Sequence, residues 1–225
     1  MNVVLIPGAC HGAWWYAPVV ENLAARGHRA LALTLPGLCE RAEEQGATLA
    51  AHVADVTATV AALDGPVVLV GHSYGGMVVA GVADALPEKV VGLLSVDGFA
   101  PADGDSCWSS VDDAMRAWYV DASGRSGTGV DPMPQFDPRT TPHPLASLVQ
   151  RIRLTGAYRG PQHYALAADP AWAVVSPFPV IADRLRTDPA WTVTDLATTH
   201  NVLREGPDVL VAAIEALLAE VDQAG

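Results

Sequence analysis

A glycine-flanked serine between an apolar run and a helical segment is the feature that most constrains the fold. The serine is Ser73, in the stretch 71–76 (GHSYGG), which follows the apolar run 66–70 and precedes the apolar segment 77–84. A strand that turns directly into a helix strains the turn residue, and a Cβ atom on either flank would crowd it. The pattern therefore predicts a strand, a sharp turn and a helix, with the Ser73 hydroxyl exposed at the carboxyl end of a sheet.

Apolar runs alternate with helical segments along the rest of the chain. The predicted strands are 3–6, 28–35, 66–70, 90–96, 163–168 and 191–196, and the predicted helices are 14–26, 48–63, 77–84, 106–120, 145–154, 179–186 and 207–221. Strands alternating with helices indicate an α/β fold, here a mostly parallel sheet of about six strands with helices on both faces.

The length and one irregular region set the expected domain organisation. The chain has 225 residues, and we expect a single domain over 1–225. Residues 102–160 interrupt the alternation and are predicted to form a small helical cap over the carboxyl ends of the strands, where ligands bind in open α/β sheets. Within this insertion, 107–144 combines aromatic residues with a stretch rich in Gly, Pro and Ser, so we expect it to be mobile.

Composition excludes several classes of partner. The net charge is −12, from 25 acidic and 13 basic residues, which disfavours nucleic acid and anionic membranes. The three cysteines, Cys10, Cys39 and Cys107, form no C-x-x-C pair, so neither a disulfide framework nor a zinc site is predicted. No apolar run reaches the ~18 residues of a membrane span, and the first residues lack the features of a signal peptide. We expect a cytoplasmic protein that binds a small molecule, with a homodimer left open.

Ser73 needs a base, because a serine hydroxyl is a poor nucleophile until its proton is removed. In proteins with a strand–G-x-S-x-G–helix pattern, an acid and then a histidine follow the serine along the chain, and the histidine lies after the last strand. His200 has this position and is the predicted base. The acid has two candidates at strand ends. Asp169, after the fifth predicted strand, is preferred on strand order to Asp97, after the fourth.

The loop after the first predicted strand is expected to complete the site. A developing oxyanion needs two N–H donors, one from the residue after the nucleophile and one from this loop. Tyr74 and Ala9 are the predicted donors. The predicted substrate-binding residues are Gly8, Cys10, Trp108 and Trp118, around an apolar pocket.

Several short stretches match the pattern of a known group of proteins. The first loop, 7–14 (PGACHGAW), is similar to an H-G-A-x-H-G-A-W opening, although Pro7 replaces the usual first histidine. The elbow 71–77 (GHSYGGM) and the strand end 96–101 (VDGFAP) match as well. On these motifs the chain resembles the α/β-hydrolase group of the plant methyl esterases, salicylic-acid-binding protein, hydroxynitrile lyases and their bacterial esterase relatives. The resemblance covers most of the chain outside 107–160 and implies an α/β-hydrolase fold.

The resemblance and the residues together imply a serine hydrolase that needs no cofactor or metal. We expect it to cleave a carboxylic ester or lactone of a small apolar, aromatic or polyketide-like substrate through a Ser-His-Asp triad and an acyl-enzyme. Two alternatives stay open, namely a non-hydrolytic lyase or cyclase on the same scaffold and a ligand-binding receptor that retains the triad. Hydroxynitrile lyases of the group carry Thr in the slot of Gly8 and Lys in the slot of Asn201, so both departures favour hydrolysis.

Overall fold

Six parallel strands form the central sheet of the structure, a computed structural model that describes residues 1–44 and 46–224. The strands are β1 (Asn2–Ile6), β2 (Arg29–Ala32), β3 (Val67–His72), β4 (Val90–Val96), β7 (Gln162–Ala167) and β8 (Trp191–Leu196). Their order across the sheet is β2-β1-β3-β4-β7-β8. Two short strands, β5 (Gly129–Val130) and β6 (His143–Pro144), pair antiparallel away from this sheet. The α/β class and the six-stranded parallel sheet are thus confirmed.

The helices include the seven segments that the sequence predicts and two short ones, Pro170–Ala173 and Val202–Glu205, that it does not. They are α1 (Ala17–Ala25), α2 (Leu49–Ala62), α3 (Gly75–Ala85), α4 (Asp113–Ser123), α5 (Leu145–Val149), α6 (Pro170–Ala173), α7 (Pro179–Arg186), α8 (Val202–Glu205) and α9 (Pro207–Ala224). Thr48 caps α2 as expected, because its hydroxyl accepts a hydrogen bond from the Ala51 N–H. The predicted helix 106–120 begins later, since Asp112 caps α4 through the Met115 N–H.

Side chains alternate between two hydrophobic cores, one on each face of the sheet. In β1, Val4 and Ile6 belong to the core that also holds residues of α2 and α3. Val3 and Leu5 point the other way, into the core shared with α1 and α9. All four side chains are fully buried, which explains why this strand is a continuous apolar run rather than an alternating one.

The segment between β4 and β7 lies outside the alternation and contributes α4, the β5–β6 pair and α5. Its mobility and its status as a cap of a single domain stay predictions. In the described part of the chain, no helix has both the length and the apolar character needed to cross a membrane.

Candidate active site

Ser73 occupies the predicted strained turn between β3 and α3. Its φ is +53°, in the left-handed region that residues with side chains rarely adopt. A Cβ atom at position 71 would lie 2.5 Å from the Gly75 carbonyl oxygen, and one at position 75 would lie 2.4 Å from the Ile6 carbonyl oxygen. Both flanking glycines are therefore required by sterics, which explains the G-x-S-x-G pattern physically.

His200 lies in the loop between β8 and α8 and is held by a buried carboxylate. Its Nδ1 donates a hydrogen bond of 2.6 Å to Oδ2 of Asp97. Asp97 follows β4 and is fully buried. The same Oδ2 accepts a hydrogen bond of 2.9 Å from the Trp172 indole, and Oδ1 accepts one of 3.2 Å from the Ala167 N–H. With Nδ1 donating, the neutral ring of His200 presents Nε2 as its acceptor.

Asp169 is the acid that strand order favours, but its carboxylate does not bond His200. The preference for Asp169 over Asp97 is therefore corrected. The Asp169 Oδ1 accepts hydrogen bonds of 2.9 Å from the Ala171 N–H and 3.3 Å from the Trp172 N–H. These bonds cap the N-terminus of α6, a common use of an aspartate before proline. The Asp169 carboxylate is thus used locally, and the helix it begins delivers the Trp172 indole to Asp97.

Aromatic rings fix the plane and position of the His200 imidazole. The Trp172 and Phe178 rings stack near it, with centroids at 5.0 and 5.5 Å and interplanar angles of 27° and 15°. The His72 Nε2 donates a hydrogen bond of 2.9 Å to the His200 carbonyl oxygen. Burial lowers the pKa of His72 well below its usual value, so the ring is neutral. Sequence reasoning did not single out Trp172 or Phe178, because neither belongs to a recognisable motif.

The first loop lies directly against the nucleophile. A Cβ atom at position 8 would lie 2.9 Å from the Ser73 Cβ, so only glycine allows this approach. Ala9 and Tyr74 both line the same cavity as Ser73 and His200. Over residues 1–44 and 46–224, no protein group accepts a hydrogen bond from the N–H of Ala9 or Tyr74. Their assignment to an oxyanion hole stays a prediction.

A cavity of about 880 Å³ joins these groups to the segment between β4 and β7. Its lining is mostly apolar and includes Gly8, Cys10, Val111, Met115, Trp118, Tyr119, Met133, Phe136, Leu148 and Phe178. Gly8, Cys10 and Trp118 are among these lining residues, and their binding of a substrate stays a prediction. Trp108 differs, and its predicted place in the pocket is corrected. Trp108 is not among the described lining residues, and its ring lies 6.3 Å from the ring of Tyr119, which does line the cavity.

Comparisons with known proteins agree with this architecture. A bacterial relative, the carbendazim hydrolyzing esterase of Nocardioides sp. (strain SG-4G), is 31% identical over 96% of this chain and 99% of its own length. Esterase PIR7B of Oryza sativa subsp. japonica is 36% identical, over 51% of this chain and 45% of that protein.

Solved structures show the same fold at lower sequence identity. An extracellular alpha/beta-hydrolase from a Paenibacillus species superposes with a TM-score of 0.82 at 18% identity, covering 96% of this chain and 98% of the other. The sequence model of the alpha/beta hydrolase family matches residues 3–223. Because that match spans almost the whole chain, this protein belongs to the alpha/beta hydrolase family.

Proposed function

We propose that the protein is a serine hydrolase that cleaves carboxylic esters through Ser73, His200 and Asp97. The observation that carries the proposal is the 2.6 Å hydrogen bond from His200 Nδ1 to the buried Asp97 carboxylate, beside the cavity that Ser73 lines. The names of the relatives support the reaction class, since they include esterases and methylesterases. The resemblance to the esterase group seen in the sequence points the same way.

In this proposal, the first half-reaction transfers the acyl group to Ser73. The Oγ attacks the ester carbonyl carbon while His200 Nε2 takes its proton, and Asp97 stabilises the imidazolium through Nδ1–H. The carbonyl oxygen becomes an oxyanion that accepts hydrogen bonds from the N–H groups of Ala9 and Tyr74. When the tetrahedral intermediate collapses, the C–O bond breaks and His200 gives its proton to the leaving alcohol.

The second half-reaction regenerates the enzyme. His200 removes a proton from water, whose oxygen attacks the acyl-enzyme carbonyl carbon, and the same two amides hold the new oxyanion. Collapse breaks the bond to Ser73 Oγ, which takes the proton back from His200, and the carboxylic acid leaves. Every step uses groups of this chain together with water.

The cavity supports a small apolar substrate. Aromatic and thioether side chains from the segment between β4 and β7 cover the space in front of Ser73, among them Met115, Trp118 and Phe136. Such surfaces favour flat or aliphatic groups through apolar contact, while the two amides orient the carbonyl. Aromatic esters and carbendazim, which the Nocardioides relative hydrolyses by its name, are therefore the first substrates to test.

The test combines labelling with turnover. A fluorophosphonate probe should label the wild-type protein at Ser73, and p-nitrophenyl esters of graded chain length, aromatic methyl esters, lactones and carbendazim should report hydrolysis. Ser73→Ala should abolish labelling and reduce turnover by at least about 10³-fold. Thr187→Ala is a useful control, because its exposed hydroxyl donates to the Arg184 carbonyl oxygen and Thr187 is not among the residues that line the cavity. Undiminished turnover by Ser73→Ala would overturn the proposal.

The lyase alternative predicts a different product. Gly8 and Asn201 stand where hydroxynitrile lyases of the resembling group carry Thr and Lys, so wild-type protein should release no cyanide from mandelonitrile above the buffer rate. Enzyme-dependent cyanide release that Ser73→Ala or His200→Ala eliminates would favour the lyase over the hydrolase.

A further inference from the structure

The peptide unit between Ala9 and Cys10 is held at both of its polar ends by histidine rings. His11 Nδ1 donates a hydrogen bond of 2.8 Å to the Ala9 carbonyl oxygen. On the other side, the Cys10 N–H donates one of 3.3 Å to Nδ1 of His143. His143 belongs to β6, so its ring reaches this loop from the segment between β4 and β7. This unit directly follows the amide assigned to the oxyanion hole.

The loop needs such support because Cys10 is strained. Its φ is +69°, a conformation that residues other than glycine adopt only when their surroundings hold them there. Its carbonyl oxygen accepts a hydrogen bond of 3.1 Å from the Thr141 N–H, two residues before His143. The segment 141–143 therefore fixes both backbone polar groups of Cys10. Without those bonds, the backbone would relax toward negative φ and turn the neighbouring peptide.

The hydrogen bonds of His143 fix its tautomer. Nδ1 accepts from Cys10, so the proton lies on Nε2, which donates to the Ser147 hydroxyl at 2.9 Å. That hydroxyl donates in turn to the Pro144 carbonyl oxygen at 2.8 Å. The ring is fully buried, and burial lowers the pKa of His143 well below its usual value, which keeps Nδ1 free of a proton.

His143 also contacts the second arm of the oxyanion hole. Its ring packs edge-on against Tyr74, with centroids 4.4 Å apart and an interplanar angle of 68°. The Tyr74 hydroxyl donates to Nδ1 of His52 at 2.7 Å, and His52 Nε2 donates to the Pro36 carbonyl oxygen at 2.9 Å. One buried imidazole thus touches both loops that carry the assigned N–H donors.

We propose that His143 is a positioning residue that holds the Ala9 N–H, the first-loop donor of the oxyanion hole, in register with Ser73. This role rests on the proposed function, because it matters only where an oxyanion forms. It assigns the segment between β4 and β7 a second task besides covering the substrate. Through His143 in β6, that segment helps to position the groups that bind the transition state.

Three substitutions separate the hydrogen bonds of the ring. His143→Asn places its side-chain oxygen near the former Nδ1 and retains an acceptor for Cys10. His143→Gln places its amide near the former Nε2 and retains the contact with Ser147 instead. His143→Leu retains apolar volume and removes both. His163→Leu is the matched control. His163 is also a buried histidine, but its ring bonds Glu220 at 2.8 Å and it is not among the residues that line the cavity.

Activity toward a p-nitrophenyl ester and the affinity for an aryl trifluoromethyl ketone are the readouts. The ketone adds to Ser73 and forms an oxyanion in the hole, whereas KM reports mainly the ground state. We expect His143→Leu and His143→Gln to lose about 10- to 100-fold in kcat, less than the 10²–10³-fold of losing an oxyanion donor outright. Affinity for the ketone should fall by the same factor, with KM within about twofold. His143→Asn and His163→Leu should stay within about threefold of wild type.

Equal losses in His143→Asn and His143→Gln, or ketone affinity that does not follow kcat, would overturn the positioning role. Should the leucine variant fail to fold, the Asn and Gln variants carry the same comparison, since both retain a polar side chain. A wild-type protein that neither hydrolyses esters nor reacts with the ketone would overturn the proposed function, and the role of His143 with it. If the wild type reacts and all three His143 variants keep its kcat and ketone affinity, the role of His143 alone would be overturned.

Discussion

The loops after β4 and β7 begin alike and end differently. Each follows a buried parallel strand with an aspartate at the same edge of the sheet, and the two strands are neighbours. Asp97 takes a φ of +37°, and its carboxylate reaches His200. Asp169 leads straight into α6, and its carboxylate turns back to cap that helix. Strand order thus brings a carboxylate to the carboxyl ends of the strands, while the local backbone decides which way that carboxylate points.

The neighbour that follows each aspartate explains the contrast. Gly98 follows Asp97, and a Cβ atom there would lie 2.5 Å from the Ser73 carbonyl oxygen, so this loop is pressed against the nucleophile turn. Pro170 follows Asp169, and proline at the first position of a helix favours a capping aspartate before it. The β4 loop is thereby bent into the site and the β7 loop is directed along a helix.

Replacing the buried carboxylate should have the largest effect. We expect Asp97→Asn to lower kcat by at least about 10²-fold and toward 10⁴-fold, because an amide at this position favours the wrong imidazole tautomer. Ester hydrolysis at saturating substrate measures the loss, and circular dichroism verifies the fold. A loss of less than about tenfold would remove Asp97 from the triad.

Replacing Trp172, whose indole joins α6 to the Asp97 carboxylate, should have the next largest effect. Trp172→Phe retains a ring near His200 and removes the N–H that bonds Asp97 Oδ2. Hydrogen bonds to charged groups contribute about 1.5–3 kcal/mol, so we expect a loss of at least about tenfold in kcat. Trp191→Phe at the start of β8 is the matched control and should leave kcat unchanged. Equal behaviour of the two variants would show that the indole bond has no part in holding Asp97.

Two tryptophans of the segment between β4 and β7 extend the comparison, since only one of them lines the cavity. Trp118→Ala enlarges the site, so kcat/KM for long-chain relative to short-chain p-nitrophenyl esters should rise about fivefold, close to the effect of burying one further methylene at about 0.8 kcal/mol. Trp108→Ala removes packing against Tyr119 and should lower the melting temperature without this change of preference. The same shift in both variants would argue that the segment acts on substrate size through its stability alone.

Asp169→Asn should have the smallest effect. Asparagine caps helices about as well as aspartate, so α6 should persist and Trp172 should keep its contact with Asp97. We expect kcat within about threefold of wild type and an unchanged melting temperature. Asp169→Ala, which has no capping oxygen, should lose about 1 kcal/mol of stability. A loss of about 10²-fold in the kcat of Asp169→Asn would instead make Asp169 the catalytic acid, as strand order predicts.

Much of the fold follows from local pattern. The predicted helix 179–186 and strand 191–196 coincide with α7 and β8, and β4 coincides with the predicted 90–96. In these segments apolar residues recur at the spacing of a helix or strand, and proline, glycine or charged residues mark the ends. The predicted helix 106–120 was wrong at its start, because Trp108–Ser110 forms a separate 3-10 turn and Asp112 caps the helix that follows.

The sequence by itself determined the elements whose causes are local. Ser73 is recognisable because its turn demands glycines within two residues on each side, and His200 because it follows the last strand. The tertiary structure alone decided which aspartate meets His200, that Trp108 packs on Tyr119 without joining the cavity lining, and that His143 reaches the first loop. Those contacts join residues far apart in the chain, and they depend on a single backbone angle, a helix cap or the path of an irregular segment. The Asp-Pro cap is a local signal, but the backbone angle of Asp97 and the path of the irregular segment leave no pattern in the sequence, so only the folded chain reveals them.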